Sequence, residues 1–185
     1  AGGLVANHLP FFVDRTRGPR GTLVGHVARA NGVWRALGAG LPSVVMFQGP
    51  QAYVTPGWYP GKAVHGKVVP TWNYVMVQAR GTLRASEDAR ELHGIVSRLT
   101  DTHEAGRAAP WGVGDAPADY IEKMLGAIVA IEIPIATLVG KWKVSQNRSA
   151  ADREGVAREF EASNVAMARQ VRTPDAITSA PPTTP

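Results

Sequence analysis

The chain has 185 residues, of which 44% are hydrophobic and 19% are charged, a composition that fits a folded globular protein and excludes wholesale disorder. It has no cysteine, so disulfides, thiolate zinc sites and cysteine nucleophiles are excluded, and a reducing cytoplasm is the expected location. The net charge of +5 is uneven, because residues 1–80 hold eight Lys and Arg against one Asp; this favours a solvated basic surface or an anion-binding face about equally.

Strand patterns dominate the first half of the chain and return after a helical region. The run at residues 71–85 has apolar side chains at both alternating positions, which predicts a strand buried on both faces. Pro134 is expected to break the last strand region. The predicted strands are residues 4–13, 22–27, 43–49, 71–85 and 127–146.

Three amphipathic helices are predicted, with Ser86, Asp115 and Ser149 as their N-caps. Residues 173–185 are expected to form a disordered tail. The apolar stripe of the first helix is Ala89, Leu92, Val96, Leu99 and His103, and that of the third is Val156, Phe160, Met167 and Val171.

These elements predict an α+β fold in one domain, residues 1–172, in which antiparallel strands close into a small barrel with peripheral helices. The βαβ alternation of a parallel doubly wound sheet is missing. The longest apolar stretch, residues 125–140, is too short to cross a bilayer and is interrupted by Glu132, so no membrane association is expected.

Motifs of common catalytic sites are missing from the sequence. It has no nucleophile elbow, no phosphate-binding loop of the G-x-x-x-x-G-K-S/T type and no H-E-x-x-H pair. Its five histidines lack metal-ligand spacing, so no metal site is expected. Hydrolase and metalloenzyme functions lose support accordingly.

Two clusters in the first half of the chain suggest ligand chemistry. Residues 53–73 place four aromatic side chains beside three prolines, and flat rings on a kinked backbone suit a planar ligand. Asn31 can cap a short helix whose free N–H groups, with the charge of Arg29 beside them, would hold a phosphate. A plain strand-to-helix turn with surface arginines explains Arg29 and Asn31 equally well.

A third cluster, residues 141–148, lies at the end of the last predicted strand. Strand alternation would place Lys141, Lys143 and Ser145 on one face. Trp142, Val144 and Gln146 would lie on the other face. Taken alone, this cluster is more typical of an exposed strand end than of a binding site.

Five blocks of the sequence resemble the PaiB family and occur in that family's order. They cover the chain up to about residue 170, and the third and fourth are the most specific. The blocks are HLPF (residues 8–11), GHVARAN (25–31), YVTPGWYP (53–60), HGKVVPTWNY (65–74) and KWKVSQNR (141–148).

The resemblance implies an FMN-binding split β-barrel, related in fold to the pyridoxamine-phosphate oxidases, that assembles as a homodimer with FMN at the subunit interface. It also implies a negative transcriptional regulator or a flavin-dependent sensor, acting on DNA or through a protein partner. The alternative is an FMN-dependent oxidoreductase of the flavin reductase, oxidase or haem-degrading type, because fold alone does not decide function.

The sequence departs from the family pattern at two places. The family's opening helix and first strand are missing before HLPF, and we expect the intact protein to have them, because a barrel without an inner strand would expose an edge. Gly32 stands where the family usually has proline, which loosens the turn but adds an N–H group.

The resemblance also implies site residues. Arg29 and Asn31 would bind the FMN phosphate, and His26 would lie near the ribityl chain. A core position in a buried strand is an equal alternative for Trp72. The flavin ring or the dimer seam would be lined by Trp58, Tyr59, Lys67, Thr71, Trp72 and Asn73, and reached by Lys143, Ser145, Gln146 and Arg148 of the same or the partner subunit.

Overall fold

A computed structural model of the chain describes residues 3–35 and 40–174. These residues form two compact units, unit 1 within Ala1–Val45 and Ala79–Leu138 and unit 2 within Met46–Gln78 and Val139–Pro185. The single domain predicted for residues 1–172 stays a prediction. Three long strands have residues in both units: β3 (Leu41–Val54), β4 (Thr71–Ser86) and β5 (Ile128–Lys143).

The long strands join β1 (Phe11–Asp14) and β2 (Thr22–Ala28) in a five-stranded sheet with the order β1-β2-β5-β4-β3. The β1–β2 and β2–β5 pairs are antiparallel, with Phe11 opposite Gly25 and Thr22 opposite Pro134. Helices accompany the sheet in each unit, so the predicted α+β class with antiparallel strands is confirmed.

Strand β5 runs through Pro134, so the predicted break there is wrong. Pro134 forms the last β2–β5 pair, with Thr22, and its missing N–H therefore falls where this ladder ends. Next to it, Gly81 leaves room for the chain, because a Cβ on Gly81 would lie 2.1 Å from the Pro134 carbonyl oxygen.

Helix α2 (Ala89–Glu104) covers part of unit 1, but it is capped by Asp88 rather than by the predicted Ser86. Asp88 Oδ1 accepts hydrogen bonds from the backbone N–H groups of Arg90 and Glu91, both at 2.9 Å. Ser86 lies two residues before Asp88, and its hydroxyl accepts a hydrogen bond from the Asp88 N–H.

The buried face of α2 consists of Leu92, Ile95 and Leu99, which pack on Val24 of β2 and Ala130 of β5. The predicted stripe had Val96 in place of Ile95 and also included Ala89 and His103. Val96 is only half-buried, and Ala89 and His103 are exposed, so these three positions are wrong. With Leu92 and Leu99 on the buried face, helical spacing allows either Ile95 or Val96 to complete the stripe. Ile95 is buried because the sheet lies on its side of the helix.

Helix α3 (Ala118–Gly126) starts after Pro117, so the predicted cap at Asp115 is wrong. Asp115 ends a 3-10 turn, Val113–Asp115, and its Oδ2 accepts from the Gly112 N–H at 2.8 Å.

Unit 2 contains α1 (Gly61–His65), α4 (Ala150–Glu161) and α5 (Val165–Arg172). Ser149 caps α4 as predicted, by accepting from the Asp152 N–H. The predicted third helix is nevertheless two helices, because Asn164 starts a second one by accepting from the Met167 N–H. All four residues of the predicted stripe are buried, together with Val54, Tyr59 and Val144: Val156, Phe160, Met167 and Val171.

Strand predictions also fail at some ends and faces, and β3 is longer than the predicted segment 43–49. Residues 4–10 are not a strand, and Leu4 and Val5 are exposed, so only the end of the predicted segment 4–13 becomes β1. Strand β4 buries one face, because Trp72 and the polar residues Arg80 and Arg84 occupy the other. The predicted tail lies outside the described residues beyond residue 174, and no described helix has the length and hydropathy to cross a membrane.

Candidate functional site

The aromatic segment of unit 2, residues 53–73, is built from short turns between β3 and β4. Thr55 caps a 3-10 turn, Pro56–Trp58, and its hydroxyl accepts from the Gly57 N–H. Helix α1 follows and ends at Gly66, whose φ of 65° is the left-handed conformation that glycine adopts without strain. These turns return the chain to the start of β4.

The four rings of this segment have different environments. Trp72 is 55% exposed and meets Tyr53 edge to face, with 6.1 Å between ring centroids. Trp58 is half-buried and packs edge to face on Phe160 at 5.1 Å. Tyr59 is buried, and the Arg148 guanidinium lies 4.8 Å from its ring centroid. Trp72 and Tyr53 are therefore open to a planar ligand, whereas Trp58 and Tyr59 belong largely to the core.

The start of β4 and the end of β5 meet through two polar contacts. Lys143 Nζ donates to Thr71 Oγ1 at 2.7 Å. Asn73 Nδ2 donates to Ser145 Oγ at 3.0 Å, and the Ser145 hydroxyl contacts Asn73 Oδ1 at 3.3 Å. The structure thus brings together Thr71, Asn73, Lys143 and Ser145, four of the predicted site residues.

The predicted alternation across residues 141–148 is wrong at Ser145. Strand β5 ends at Lys143, and the next two residues, Val144 and Ser145, are both buried. Ser145 has a φ of 64°, left-handed for a residue with a Cβ. Gln146 holds the turn, since its Oε1 accepts from the Val144 N–H at 2.8 Å and its Nε2 donates to the Trp142 carbonyl at 2.6 Å.

Lys67 lies at the surface between α1 and β4. Its backbone N–H donates to His65 Nδ1 at 3.0 Å, and its side chain is exposed. The ammonium group is therefore accessible to a ligand of opposite charge.

In unit 1, Arg29 is held by a network that the sequence does not reveal. Its Nε donates to the Gly126 carbonyl at 2.7 Å, its Nη2 to the Ile128 carbonyl at 3.3 Å, and its Nη1 to the Glu87 carboxylate. Trp34 lies beside it, with 5.7 Å from the ring centroid to the guanidinium. A guanidinium has five N–H groups, so the three used here leave two for a ligand.

Asn31 caps the 3-10 turn Gly32–Trp34, as predicted. Its Oδ1 accepts from the Val33 N–H at 3.0 Å, and its Nδ2 donates to Asn7 Oδ1 at 2.7 Å. Both ends of the Asn31 amide thus have partners inside unit 1.

His26 lies on β2 opposite Ala130 and is half-buried. Burial lowers its pKa from the usual 6.5, because the protonated ring loses hydration. Its Nδ1 has no hydrogen-bond partner among the described residues, and the hydroxyl of Tyr59 in unit 2 is the other buried side-chain atom of this kind. A buried polar atom without a partner is costly, which fits a position where a bound ligand supplies one.

An open groove in unit 2 includes residues that sequence reasoning did not select. Its volume is about 480 Å³, and Lys62 and Arg158 lie on its α1 and α4 walls. Helix α4 approaches closely at Gly155, where an added Cβ would lie 2.4 Å from the Trp58 carbonyl oxygen. No sequence motif indicates that Arg158 lines a groove, because it is a single charged residue on the exposed face of a helix. Only the packing of α4 shows its place beside Trp58.

Comparison with known proteins gives the family. A family model described as "Putative FMN-binding domain" matches residues 1–137. Protease synthase and sporulation protein PAI 2 of Bacillus subtilis is 30% identical over 167 residues, which cover 90% of this chain and 77% of that protein. The chain belongs to the PaiB family. The resemblance seen in the sequence is thereby confirmed.

Relatives of this PaiB-family chain also occur in fungi. An uncharacterized protein of Aspergillus fumigatus is 35% identical over 199 residues, which cover 85% of this chain and 76% of that protein. Among solved structures, the flavocytochrome Anf3 of Azotobacter vinelandii has a TM-score of 0.44 and 17% identity, covering 72% of this chain and 54% of that one. At this TM-score the likeness supports no inference about activity.

FMN is the cofactor that the family match gives to this PaiB-family chain. The donors fit it within each unit taken by itself. In unit 2, Lys143 and Lys67 supply cationic donors and Trp72 supplies an exposed ring, and in unit 1 Arg29 supplies a guanidinium. Bound FMN would supply a two-electron redox centre. The residues of the chain would bind it, orient it and shield part of it from water.

Proposed function

We propose that the chain is an FMN-binding homodimer of the cytoplasm that acts as a negative transcriptional regulator or a flavin-dependent sensor. Membership of the PaiB family carries this proposal, and the Bacillus subtilis relative is named for protease synthesis and sporulation, which are regulated processes. Regulation through DNA or through a protein partner is compatible with the excess of basic residues in positions 1–80.

In unit 2, the proposed flavin wall is the exposed edge around Trp72. Trp72 would stack on the ring system, because it is open to solvent and its edge contact with Tyr53 fixes its orientation. Lys143 keeps two N–H donors beyond its bond to Thr71 and would donate to a carbonyl or an oxyanion of the cofactor. Lys67 would add a second cation, and Tyr59 and Trp58 would support the wall from the core side.

In unit 1, Arg29 and Asn31 remain the proposed phosphate ligands, Asn31 through the second N–H of its Nδ2 group. Bonds to the described residues leave two N–H donors of Arg29 unused, and a phosphate dianion would add to its network without breaking the bonds to Gly126 and Ile128. His26 would offer a hydroxyl of the cofactor its Nδ1, which has no hydrogen-bond partner among the described residues.

Exposed apolar residues on the long strands support a homodimer. Strand β5 continues beyond its last pair with β2, at Pro134, and in this part Leu138 is 55% and Val139 53% exposed. On β3, Met46 and Phe47 are exposed as well. Apolar side chains exposed on neighbouring positions favour an interface, and a second copy of the chain would cover them.

The assembly is tested by sedimentation of purified protein. We expect the parent to be a dimer and Val139→Glu to dissociate it, whereas Val165→Glu, an exposed apolar position at the start of α5, should stay dimeric. A monomeric parent would contradict the homodimer.

The role is tested with the same FMN-loaded protein in two assays. The first measures binding to DNA from upstream of its own reading frame, with oxidised and with reduced flavin. The second measures anaerobic flavin reduction by NADH or NADPH, followed by turnover on oxygen, haem or quinones. A salt-sensitive DNA shift that depends on flavin state supports the regulator. Turnover without any DNA shift supports the oxidoreductase instead.

A further inference from the structure

Ser145 combines two features that are rarely found together in a surface turn. It is a residue with a Cβ in the left-handed region, at φ 64°, and it is only 5% exposed. Among the described residues other than glycine, Ser145 alone has a positive φ. Such a conformation costs energy and persists only where the surroundings fix it.

Asn73 is the residue that fixes it. Asn73 is fully buried, and its amide contacts the Ser145 hydroxyl through both Nδ2, at 3.0 Å, and Oδ1, at 3.3 Å. The two residues are 72 positions apart, so the contact joins the first residues of β4 to the chain just beyond β5. An amide that is fully buried must find partners, which makes this bond costly to break.

The turn fixed by Ser145 carries two cationic residues, one on each side. Lys143 precedes it and bonds to Thr71, while Arg148 follows it, with its N–H donating to the Ser145 carbonyl at 3.0 Å. The Arg148 guanidinium then lies over the ring of Tyr59. A change of backbone conformation at Ser145 would therefore displace Lys143 and Arg148 relative to each other.

We propose that Asn73 and Ser145 are positioning residues for the flavin site, which hold the 143–148 turn in a strained conformation so that Lys143 and Arg148 face the bound cofactor together. This inference rests on the proposed function of the site. In this role Asn73 and Ser145 act on the cofactor through the two cations, Lys143 and Arg148.

We expect substitutions of Ser145 to weaken FMN binding by an amount that does not follow their effect on stability. Ser145→Gly removes the conformational penalty, because glycine adopts positive φ freely, but it also removes the bond to Asn73. Ser145→Ala removes the same bond and keeps the penalty. A role in folding alone would make FMN affinity follow stability, so the glycine variant would bind FMN more tightly than the alanine variant.

The experiment measures FMN dissociation constants by fluorescence titration at low and high salt, with thermal unfolding of the flavin-free proteins. We expect Ser145→Gly to unfold at or above the temperature of Ser145→Ala. Both should bind FMN at least ~10-fold more weakly than the parent, about the effect of one charge-assisted hydrogen bond, and with a smaller loss at high salt. Ser163→Gly, an exposed serine between α4 and α5, is the matched control.

The outcomes separate this inference from the proposed function. A parent that takes up no FMN contradicts the proposed function and this inference with it. A parent that binds FMN, with a Ser145→Gly variant of equal affinity and equal salt dependence, contradicts the positioning role alone.

Discussion

The Lys143 ammonium donates a hydrogen bond to the Thr71 hydroxyl over 2.7 Å and so fixes a cation where β5 ends and β4 begins. Thr71 directly precedes the exposed Trp72 in the aromatic segment. The bond to Thr71 therefore places Lys143 at the edge of that segment. A lysine held by one bond keeps its charge and two donors for a ligand.

Removing this charge should weaken cofactor binding without unfolding the protein. We expect Lys143→Gln to lower FMN affinity about 10-fold, the size of one charge-assisted hydrogen bond. Fluorescence titration with FMN measures it, and Lys123→Gln, an exposed lysine of α3, is the control. Equal affinity in the parent and Lys143→Gln would remove Lys143 from the site.

The Tyr59 hydroxyl has no hydrogen-bond partner among the described residues, so its removal should affect stability and FMN affinity in opposite directions. An unsatisfied buried hydroxyl costs about 1–3 kcal/mol, so Tyr59→Phe should raise the unfolding free energy of the flavin-free protein by about 1 kcal/mol. If FMN supplies the missing partner, the same variant should bind FMN more weakly. Denaturant unfolding and FMN titration test the two effects, and parental affinity for FMN would show that the hydroxyl does not meet the cofactor.

Arg29 should act on both stability and phosphate recognition. Arg29→Ala removes the donors to the Gly126 and Ile128 carbonyls and should destabilise the protein by about 1–3 kcal/mol. It should also weaken FMN far more than riboflavin, which lacks the phosphate. Glu87→Gln loses only the partly exposed ion pair with Arg29, so it should lower the free energy of unfolding by less than about 1 kcal/mol. An equal loss of FMN and riboflavin binding would argue against a phosphate role.

Alanine substitutions at two helical glycines should change the free energy of unfolding in opposite directions. Gly155→Ala places a Cβ 2.4 Å from the Trp58 carbonyl oxygen and 2.9 Å from Pro60 Cδ, so it should destabilise unit 2 by about 1–3 kcal/mol or more. Gly94→Ala, in α2 with nothing within 4 Å, should stabilise by about 0.5–1 kcal/mol through helix propensity. Chemical denaturation measures both, and a stabilising Gly155→Ala would show that α4 does not pack on residues 56–60 as described.

His26 gives the stability of the flavin-free protein a pH dependence. Burial lowers its pKa in the folded state below the usual 6.5, so the unfolded state binds the proton more readily. Stability due to His26 should therefore rise with pH toward 6.5 and fall as the pH drops below it. Between neutral and acidic pH, the unfolding temperature should fall less for His26→Gln than for the parent. An equal fall in both proteins would contradict the burial of this ring.

Much of the fold follows from local patterns in the sequence. The stripe Val156, Phe160, Met167 and Val171 is buried as predicted, and Asn31 and Ser149 cap as predicted, because caps and apolar spacing act within a few residues. The failures have long-range causes. Pro134 stays within a strand because β2 pairing ends beside it and Gly81 makes room.

The candidate site was harder to predict than the fold. Motif resemblance selected Lys143, Thr71, Asn73 and Ser145, but not their pairing, since each contact joins residues 72 positions apart. The predicted alternation is wrong at Ser145, because no local rule places a serine at positive φ. The network around Arg29 depends on carbonyl groups of Gly126 and Ile128, and backbone acceptors leave no trace in a sequence.

The most direct test of the account is the flavin content of the purified protein after incubation with FMN and removal of free ligand. The visible absorbance spectrum and the ratio of flavin to chain measure it. We predict a yellow protein that retains FMN in a stoichiometric amount and loses most of it on combining Lys143→Gln with Arg29→Ala. A colourless parent that takes up neither FMN nor riboflavin would contradict the central claim.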